Sequence, residues 1–143
     1  VFDAVLVHLL HAVAPQDWQA VKRSLHKSLY EDKAAACLGI LKRSYAHADV
    51  VFVQEASDNF IQRAEAGLGQ YMALRPQHVD SRRPQVSLVL ARRGRFVEGT
   101  ARDVTEEALA LLASQCAESG DLCAFTIARR DGCPMLLASF HGD

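Results

Sequence analysis

One stretch of sequence decides the predicted fold of this 143-residue chain: DVVFVQE at residues 49–55. Its central residues are β-branched or aromatic, which predicts a buried strand. The strand ends in Gln54 and Glu55. A carboxylate at the end of a buried strand must be solvated, hydrogen-bonded or bound to a cation. The stretch therefore predicts a strand with a candidate functional residue at its end.

The composition is that of an ordinary globular domain. Hydrophobic residues make up 50% of the chain, charged residues 23%, and the formal net charge is −1. No overall field therefore favours nucleic acid or an anionic membrane, and nucleic acid is not indicated as a partner. The length allows one sizeable core, so we expect residues 1–143 to form a single domain or the N-terminal part of one.

The N-terminal run does not resemble a membrane span or a leader. Residues 1–10 are apolar but are interrupted by Asp3 and His8, and they are too short to span a bilayer. They also lack the basic segment and cleavage site of a signal peptide. The chain begins with Val, which predicts either removal of an N-terminal segment or a sequence covering part of a longer product.

The cysteines point to a reducing environment. There are four, without CxxC spacing, at positions Cys37, Cys116, Cys123 and Cys133. We expect them to be reduced, in a non-secreted protein of an intracellular, reducing compartment. A pairing of two of them stays open, because sequence does not report their distance.

The sequence divides into a helical part, residues 1–48, and a sheet-rich part, residues 49–143. Residues 1–13 fit either a short helix or a strand. Apolar residues recur at helical spacing from about residue 16 to residue 41, which predicts a long helix with a bend near residues 31–32. Residues 57–69 fit a short helix or a loop.

Four further segments predict strands: residues 71–74, 86–91, 122–128 and 135–140. Turns are predicted at residues 92–95, with a return strand from Phe96, and at residues 129–132. Asp103 and Glu106 match a capping box that opens a helix ending near Cys116. The predicted class is α+β, with a mainly antiparallel or mixed sheet covered by helices.

Seven arginines fall in the predicted loops and turns. If the turns point the same way, these arginines would form a basic rim. Such a rim would suit phosphate, because guanidinium groups donate to it in bidentate fashion. The other interpretation is solvated turns that discourage edge pairing. The arginines are Arg82, Arg83, Arg92, Arg93, Arg95, Arg129 and Arg130.

From about Lys33 to Asp143 the chain resembles the N-terminal half of the endonuclease/exonuclease/phosphatase (DNase I-like) superfamily. The resemblance rests on the Gln-Glu strand, on the hairpin-like segment at residues 86–96, and on the strand pair that ends in SFHGD at residues 139–143. It implies a partial DNase I-like β-sandwich flanked by helices.

The resemblance also implies site residues. Glu55 would be a Mg²⁺ ligand if the site is intact, and His141 would contact the substrate phosphate. Gln54 would orient the Glu55 side chain without binding the metal itself. From the residues alone, Glu55 equally fits a cap of the next helix or a solvent-facing residue, and His141 fits a frayed strand end. Asp143 is a further candidate ligand at the chain terminus. His8 and His11 form an HxxH pair, which without a third ligand is typical of structural histidines.

Some residues of the family's catalytic set are missing. No Asn occurs in residues 1–13, where the family has one, and its Asn/Asp pair and Asp-His pair would follow His141, whereas this chain ends at Asp143. Hydrolysis needs an activated nucleophile besides a metal ion.

Two functions follow from this pattern. The first is a non-catalytic scaffold or interaction protein that retains a truncated, degenerate fold as a subunit of a larger assembly. The second is the N-terminal part of an active Mg²⁺-dependent phosphodiesterase or phosphatase. In both cases the expected partner is another protein or the missing C-terminal half of the chain. We expect that partner over the apolar side chains of residues 86–90 and 136–140.

Overall fold

The computed structural model of the chain describes residues 2–80, 83, 85–112, 117 and 120–142. It is an α+β structure with two antiparallel sheets of three strands each, as the sequence predicts. The chain forms two compact units, Val1–Cys37 and Leu38–Asp143. Cys116, Asp143 and Arg82 lie outside the described residues.

Helices dominate the first part of the chain. They are α1 (Phe2–Val13), α2 (Trp18–His26) and α3 (Asp32–Ser44). The sequence leaves residues 1–13 as either a helix or a strand, and α1 shows that Phe2–Val13 form a helix. A π-helical turn at Lys27–Glu31 lies between α2 and α3, next to residues 31–32 where the sequence predicts a bend. Among the described residues, no helix has the length and apolar character that a bilayer crossing requires.

Sheet 1 contains the Gln-Glu strand. Its strands are β1 (Val50–Ser57), β2 (Tyr71–Leu74) and β3 (Gln85–Arg92), in the order β1-β3-β2. Helix α4 (Asp58–Gly67) follows β1 directly. It begins at Ser57, whose Oγ accepts a hydrogen bond from the Phe60 N–H at 3.3 Å. Such an N-cap stabilises a helix by about 1 kcal/mol.

Sheet 2 is formed by β4 (Arg102–Asp103), β5 (Leu122–Ala128) and β6 (Pro134–Phe140), in the order β4-β5-β6. The short helix α5 (Thr105–Leu111) lies between β4 and β5 in the chain. The predicted return strand from Phe96 does not pair with β3. Phe96 instead forms an isolated bridge with Arg129, so the chain leaves sheet 1 at this turn and enters sheet 2.

The capping-box prediction was wrong in position. The N-cap of α5 is Val104, and no side chain caps this helix. Asp103 has other partners, because its carboxylate accepts hydrogen bonds from the Thr105 N–H at 2.9 Å and from the Gln77 N–H at 2.7 Å. The carboxylate therefore links the loop at Gln77 to the first residue of α5.

The main core lies between the two sheets. It is built from alternate residues of strands β2, β3, β5 and β6, together with Phe96: Met72, Leu74, Val89, Ala91, Cys123, Phe125, Ile127 and Leu137. Strand β3 is the central strand of sheet 1 and is buried on both faces. Leu88 and Val89, which point to opposite faces, are both 0% exposed.

This burial corrects one expectation. Residues 86–90 do not present an apolar surface to a partner, because sheet 2 covers one face of β3. On the other face, α4 contacts the flanking strands β1 and β2 and so covers β3 between them. Only residues 136–140 keep the expected exposed apolar side chains, at Leu136 and Phe140.

Candidate functional site

Strand β1 carries a β-bulge shortly before its end. Pairing with β3 is regular up to Val53, opposite Leu88, and resumes at Ala56, opposite Val86, so β1 has one extra residue here. Glu55 lies in this irregular stretch with a φ of +53°, in the left-handed region. For a residue other than glycine this conformation costs about 1–2 kcal/mol. The bulge breaks the alternation of β1 and re-aims the Glu55 side chain.

The end of β6 lies beside this bulge. The His141 N–H donates to the carbonyl oxygen of Asp121 at 2.9 Å, which continues the β5–β6 pairing one step beyond β6. The Gln54 amide Nε2 donates to the carbonyl oxygen of Phe140 at 3.4 Å. The Glu55 Oε1 lies 3.8 Å from the His141 Nε2. The structure thus brings all three predicted site residues together, from two different sheets.

The pair of Glu55 and His141 is open to solvent. Their side chains are 53% and 45% exposed, and the contact is an ion pair only when the imidazole is protonated. At this exposure such a pair contributes at most about 1 kcal/mol to stability. Chemically, the corner offers one carboxylate and one imidazole that can donate a hydrogen bond to an anionic oxygen. The catalytic and metal-binding roles of these residues stay predictions.

The protein donors described at this corner do not by themselves complete the coordination of a Mg²⁺ ion. Mg²⁺ requires octahedral coordination by oxygen. Glu55 supplies one carboxylate, and the Gln54 amide nitrogen donates to Phe140, which leaves the Gln54 amide oxygen as a second donor. Within the described residues, no group of three or more His, Cys, Asp or Glu side chains is placed to hold a metal ion. The candidate ligand Asp143 lies outside them.

The histidine pair of the N-terminal unit lines a different cavity. His8 and His11 lie with Trp18 around an open cavity of about 550 Å³. The His11 ring meets the Trp18 ring edge to face, with centroids 5.9 Å apart. This is an aromatic packing contact, and it agrees with the structural interpretation of the HxxH pair.

The arginine-rich turns point the same way, but away from Glu55. The Arg130 N–H donates to the carbonyl oxygen of Arg95 at 2.9 Å, so the turns at 92–95 and 129–132 are neighbours. The Arg95 Nε lies 3.0 Å from Asp49, at the start of β1, whereas Glu55 is near its end. The guanidinium groups here also have nearby acceptors, such as Glu98 for Arg93. The arginines of these two turns therefore do not form a rim around the Glu55–His141 corner. Arg83 is different, because it pairs with Asp121, whose carbonyl accepts the His141 N–H.

Strand β6 has one buried face and one exposed apolar face, and the sequence does not show which is which. Its side chains alternate, with Leu137 4% exposed towards the core, and with Leu136 and Phe140, on the other face, 64% and 49% exposed. The sequence signal was weak, because PMLLASF is apolar at nearly every position and does not reveal which face is covered. No described residue outside β5 pairs with β6 as a strand, so β6 is an edge strand.

Comparison with known proteins adds little. Neither a known protein family nor a curated protein sequence matches the chain. Among solved structures, the crystal structure of D. rerio TDP2 complexed with a single-strand DNA product superimposes with a TM-score of 0.49 and 16% sequence identity. The match covers 76% of this chain and 38% of that one, so the chain spans about two fifths of its length. At this degree of similarity the match assigns neither family nor activity.

Proposed function

We propose that the chain is a protein-interaction module, a non-catalytic scaffold that binds a partner protein through strand β6. One observation carries this proposal: Leu136 and Phe140 are 64% and 49% exposed on an edge strand. No charged residue occurs from position 134 to position 140. Apolar side chains gathered on one exposed strand are typical of an interaction surface.

The energetics favour a bound partner. Full burial of a large apolar side chain contributes roughly 1.5–3 kcal/mol. Two such side chains on β6 therefore represent a sizeable fraction of a typical domain stability of about 5–15 kcal/mol. We also propose a reducing intracellular compartment, on the cysteine spacing described above. The partner is another protein or a further part of the same product.

The second candidate function is the N-terminal part of a Mg²⁺-dependent phosphodiesterase or phosphatase. The observation that favours it is the Glu55–His141 corner. Backbone strain at a non-glycine residue is often found at functional sites. Glu55 combines a φ of +53° with a 3.8 Å approach to His141. The incomplete donor set for Mg²⁺ places this candidate second.

A hydrolysis assay separates the two candidates. The purified chain is incubated with Mg²⁺ and bis(p-nitrophenyl) phosphate, beside the variants Glu55→Gln and His141→Asn. The expected result is no release of nitrophenol above the buffer rate in any of the three. Turnover that disappears in both variants would replace the scaffold proposal by the hydrolase.

A dye-binding assay tests the docking surface directly. We expect the wild-type chain to bind ANS, and Leu136→Ser and Phe140→Ser each to lower the fluorescence. The matched control is Leu111→Ser, because Leu111 is 88% exposed but lies on α5. An equal decrease in all three variants would show that β6 holds no special apolar surface.

A further inference from the structure

We propose that the outward edge of β6 binds a partner polypeptide in extended conformation, which adds to sheet 2 as a fourth strand. The inference rests on the proposed interaction function and names the conformation and chemistry of the partner. It follows from the direction of the backbone groups of β6, from the character of this edge, and from the surfaces on its two sides.

The direction of each backbone group in β6 follows from its pairing with β5. At both ends of the pair, odd-numbered residues bond across it: the His141 N–H donates to the Asp121 carbonyl, and the Arg129 N–H to the Cys133 carbonyl, both at 2.9 Å. Antiparallel pairs alternate between bonded and non-bonded positions. The even-numbered residues of β6 therefore turn their N–H and C=O groups away from β5.

An independent contact supports this assignment. The Phe140 carbonyl accepts a hydrogen bond from the Gln54 side chain of β1, which lies on the side away from β5. On the other side of sheet 2, Ala124, the partner of Ala138, donates to the Thr105 Oγ1 at 3.0 Å and so turns away from β6. Leu136 and Ala138 thus each direct one donor and one acceptor outward, with the spacing that another strand matches.

The usual devices against edge pairing are sparse in β6. Natural sheets protect their edges with charged side chains, prolines or bulges. Strand β6 pairs with β5 in unbroken register from Pro134 to Phe140 and carries no charge. Its one proline, Pro134, stands at an outward position at the start of the strand. From Leu136 to Ala138 the strand is regular, and no described residue pairs with its outward backbone groups.

The surfaces on both sides of this edge determine what the partner must be. On the core side, Met135 is half-buried. Phe52 of β1, opposite Val89 and so on the same inner face of sheet 1, is 46% exposed. On the outer side lie Leu136 and Phe140. The side chains of an added strand would meet apolar side chains of the protein on both faces of sheet 2. A charged side chain of that strand would lose its hydration there without gaining an ionic partner. The partner segment is therefore uncharged and rich in β-branched residues.

Gln54 limits the length of the pairing. Its amide occupies the Phe140 carbonyl, and β1 approaches β6 at that end. The added strand therefore pairs with the stretch from Pro134 to Ala138, about five residues, which is a common strand length. Opening the Gln54 contact would release one more outward position.

Amide hydrogen exchange of the ¹⁵N-labelled chain tests the inference. The probe is a short synthetic peptide of alternating threonine and valine, and its control has the same composition with proline residues within the run. In the free chain we expect fast exchange at Leu136 and Ala138 and slow exchange at Leu137 and Ser139. The alternating peptide should slow exchange at Leu136 and Ala138 by at least about tenfold. Equal protection by the proline peptide would overturn the inference.

Two matched variants test the backbone role. Ala138→Pro removes the outward N–H but none of the bonds to β5, as Pro134 already does at another outward position. Ala138→Ser keeps the N–H and changes only the side chain. Peptide protection of the Leu136 amide should be lost in the first and kept in the second. Equal protection in both would refute strand addition.

A third variant decides the question if Ala138→Pro does not fold. Gln54→Ala frees the Phe140 carbonyl, so the peptide should bind more tightly and protection should extend to the Phe140 amide. Unchanged binding would contradict the inference.

Other occupants give distinct results. Protection of Leu136 and Ala138 that grows with protein concentration, without peptide, would mean that a second copy pairs at this edge. Protection at every concentration would mean that the chain itself covers the edge. Either result overturns the assignment to a partner. If the peptide does not bind while β6 variants still lower ANS fluorescence, strand addition fails and the interaction module stands.

Discussion

Strands β1 and β6 are both edge strands on the same side of the sandwich, yet they present different edges. In β1, one extra residue interrupts the pairing with β3, and Glu55 adds a carboxylate with a φ of +53°. Strand β6 pairs in unbroken register with β5 and is uncharged. The difference teaches that an edge position alone does not make a strand available for pairing with another strand. A regular backbone and the absence of charge are needed as well.

The largest expected effect comes from the two faces of β6. Leu137 is 4% exposed and Leu136 is 64% exposed, one position apart. We expect Leu137→Ala to lower the free energy of unfolding by about 2–5 kcal/mol, because it leaves a cavity in the core. Leu136→Ala should change it by less than about 0.5 kcal/mol. Urea denaturation measures both, and similar losses would contradict the alternation on which the comparison depends.

The pH dependence of stability tests the contrast between the exposed edge of β6 and the core behind it, through the buried thiol of Cys123. Burial of Cys123, with a smaller effect from the charge of Asp103, raises the pKa of its thiol from 9.0 to about 12. Between these values the unfolded chain loses the proton and the folded chain keeps it. The contribution of this thiol to stability is therefore complete below pH 9 and is lost as the pH rises towards 12.

Denaturation of wild type and Cys123→Ala at several alkaline pH values isolates this effect. The wild-type stability should fall more steeply above pH 9 than that of the variant. In the native wild-type chain at neutral pH, the exposed Cys133 should react readily with a thiol reagent, whereas the buried Cys123 should react only on unfolding. Parallel pH profiles would show that the interior behind β6 is not dry.

Ser139 tests the inner face of β6 on a smaller scale. It is 2% exposed, and its hydroxyl oxygen is buried without a hydrogen-bond partner among the described residues. A buried unsatisfied polar group costs about 1–3 kcal/mol. Ser139→Ala should therefore raise the free energy of unfolding by about 1 kcal/mol, as measured by thermal melting. A clear decrease would indicate that the hydroxyl has a partner, such as a bound water.

The smallest expected effect concerns the bulge of β1. Glycine adopts a positive φ without strain, so Glu55→Gly should relieve about 1 kcal/mol, partly offset by the greater entropy of glycine in the unfolded chain. Glu55→Ala keeps the strain and serves as the matched control. We expect the glycine variant to be the more stable of the two by about 0.5–1 kcal/mol. Equal stabilities would mean that Glu55 bears no strain.

Local elements were largely predictable. The strands predicted at residues 71–74 and 122–128 have these same bounds in β2 and β5, and β1, β3 and β6 differ from their predicted bounds by a few residues at their ends. The two-residue strand β4 was not predicted. Runs of β-branched and aromatic residues favour an extended backbone through contacts between near neighbours. A π-helical turn interrupts the long helix beside the position of the predicted bend. The helix–strand choice at residues 1–13 stayed open, because the apolar residues there follow neither period.

The errors concern distant contacts. The turn at 92–95 has the residues of a hairpin, yet Phe96 pairs with Arg129 and not with β3. Asp103 has the sequence of a cap, yet it binds Gln77 and Thr105. Phe96 takes a distant partner in place of a local one, and Asp103 adds the distant partner Gln77 to its local bond with Thr105. The residues nearby do not reveal either distant partner.

The sequence by itself determined the α+β class and most of the strand segments, because these follow from local propensity, and its resemblance to a known family supplied the candidate residues Gln54, Glu55 and His141. Only the tertiary structure decided that these residues meet at one corner, that β3 is covered on both faces and that β6 is an edge. The physical reason is that exposure depends on which distant strands pair. An apolar run such as residues 134–140 fits a central strand and an edge strand equally well.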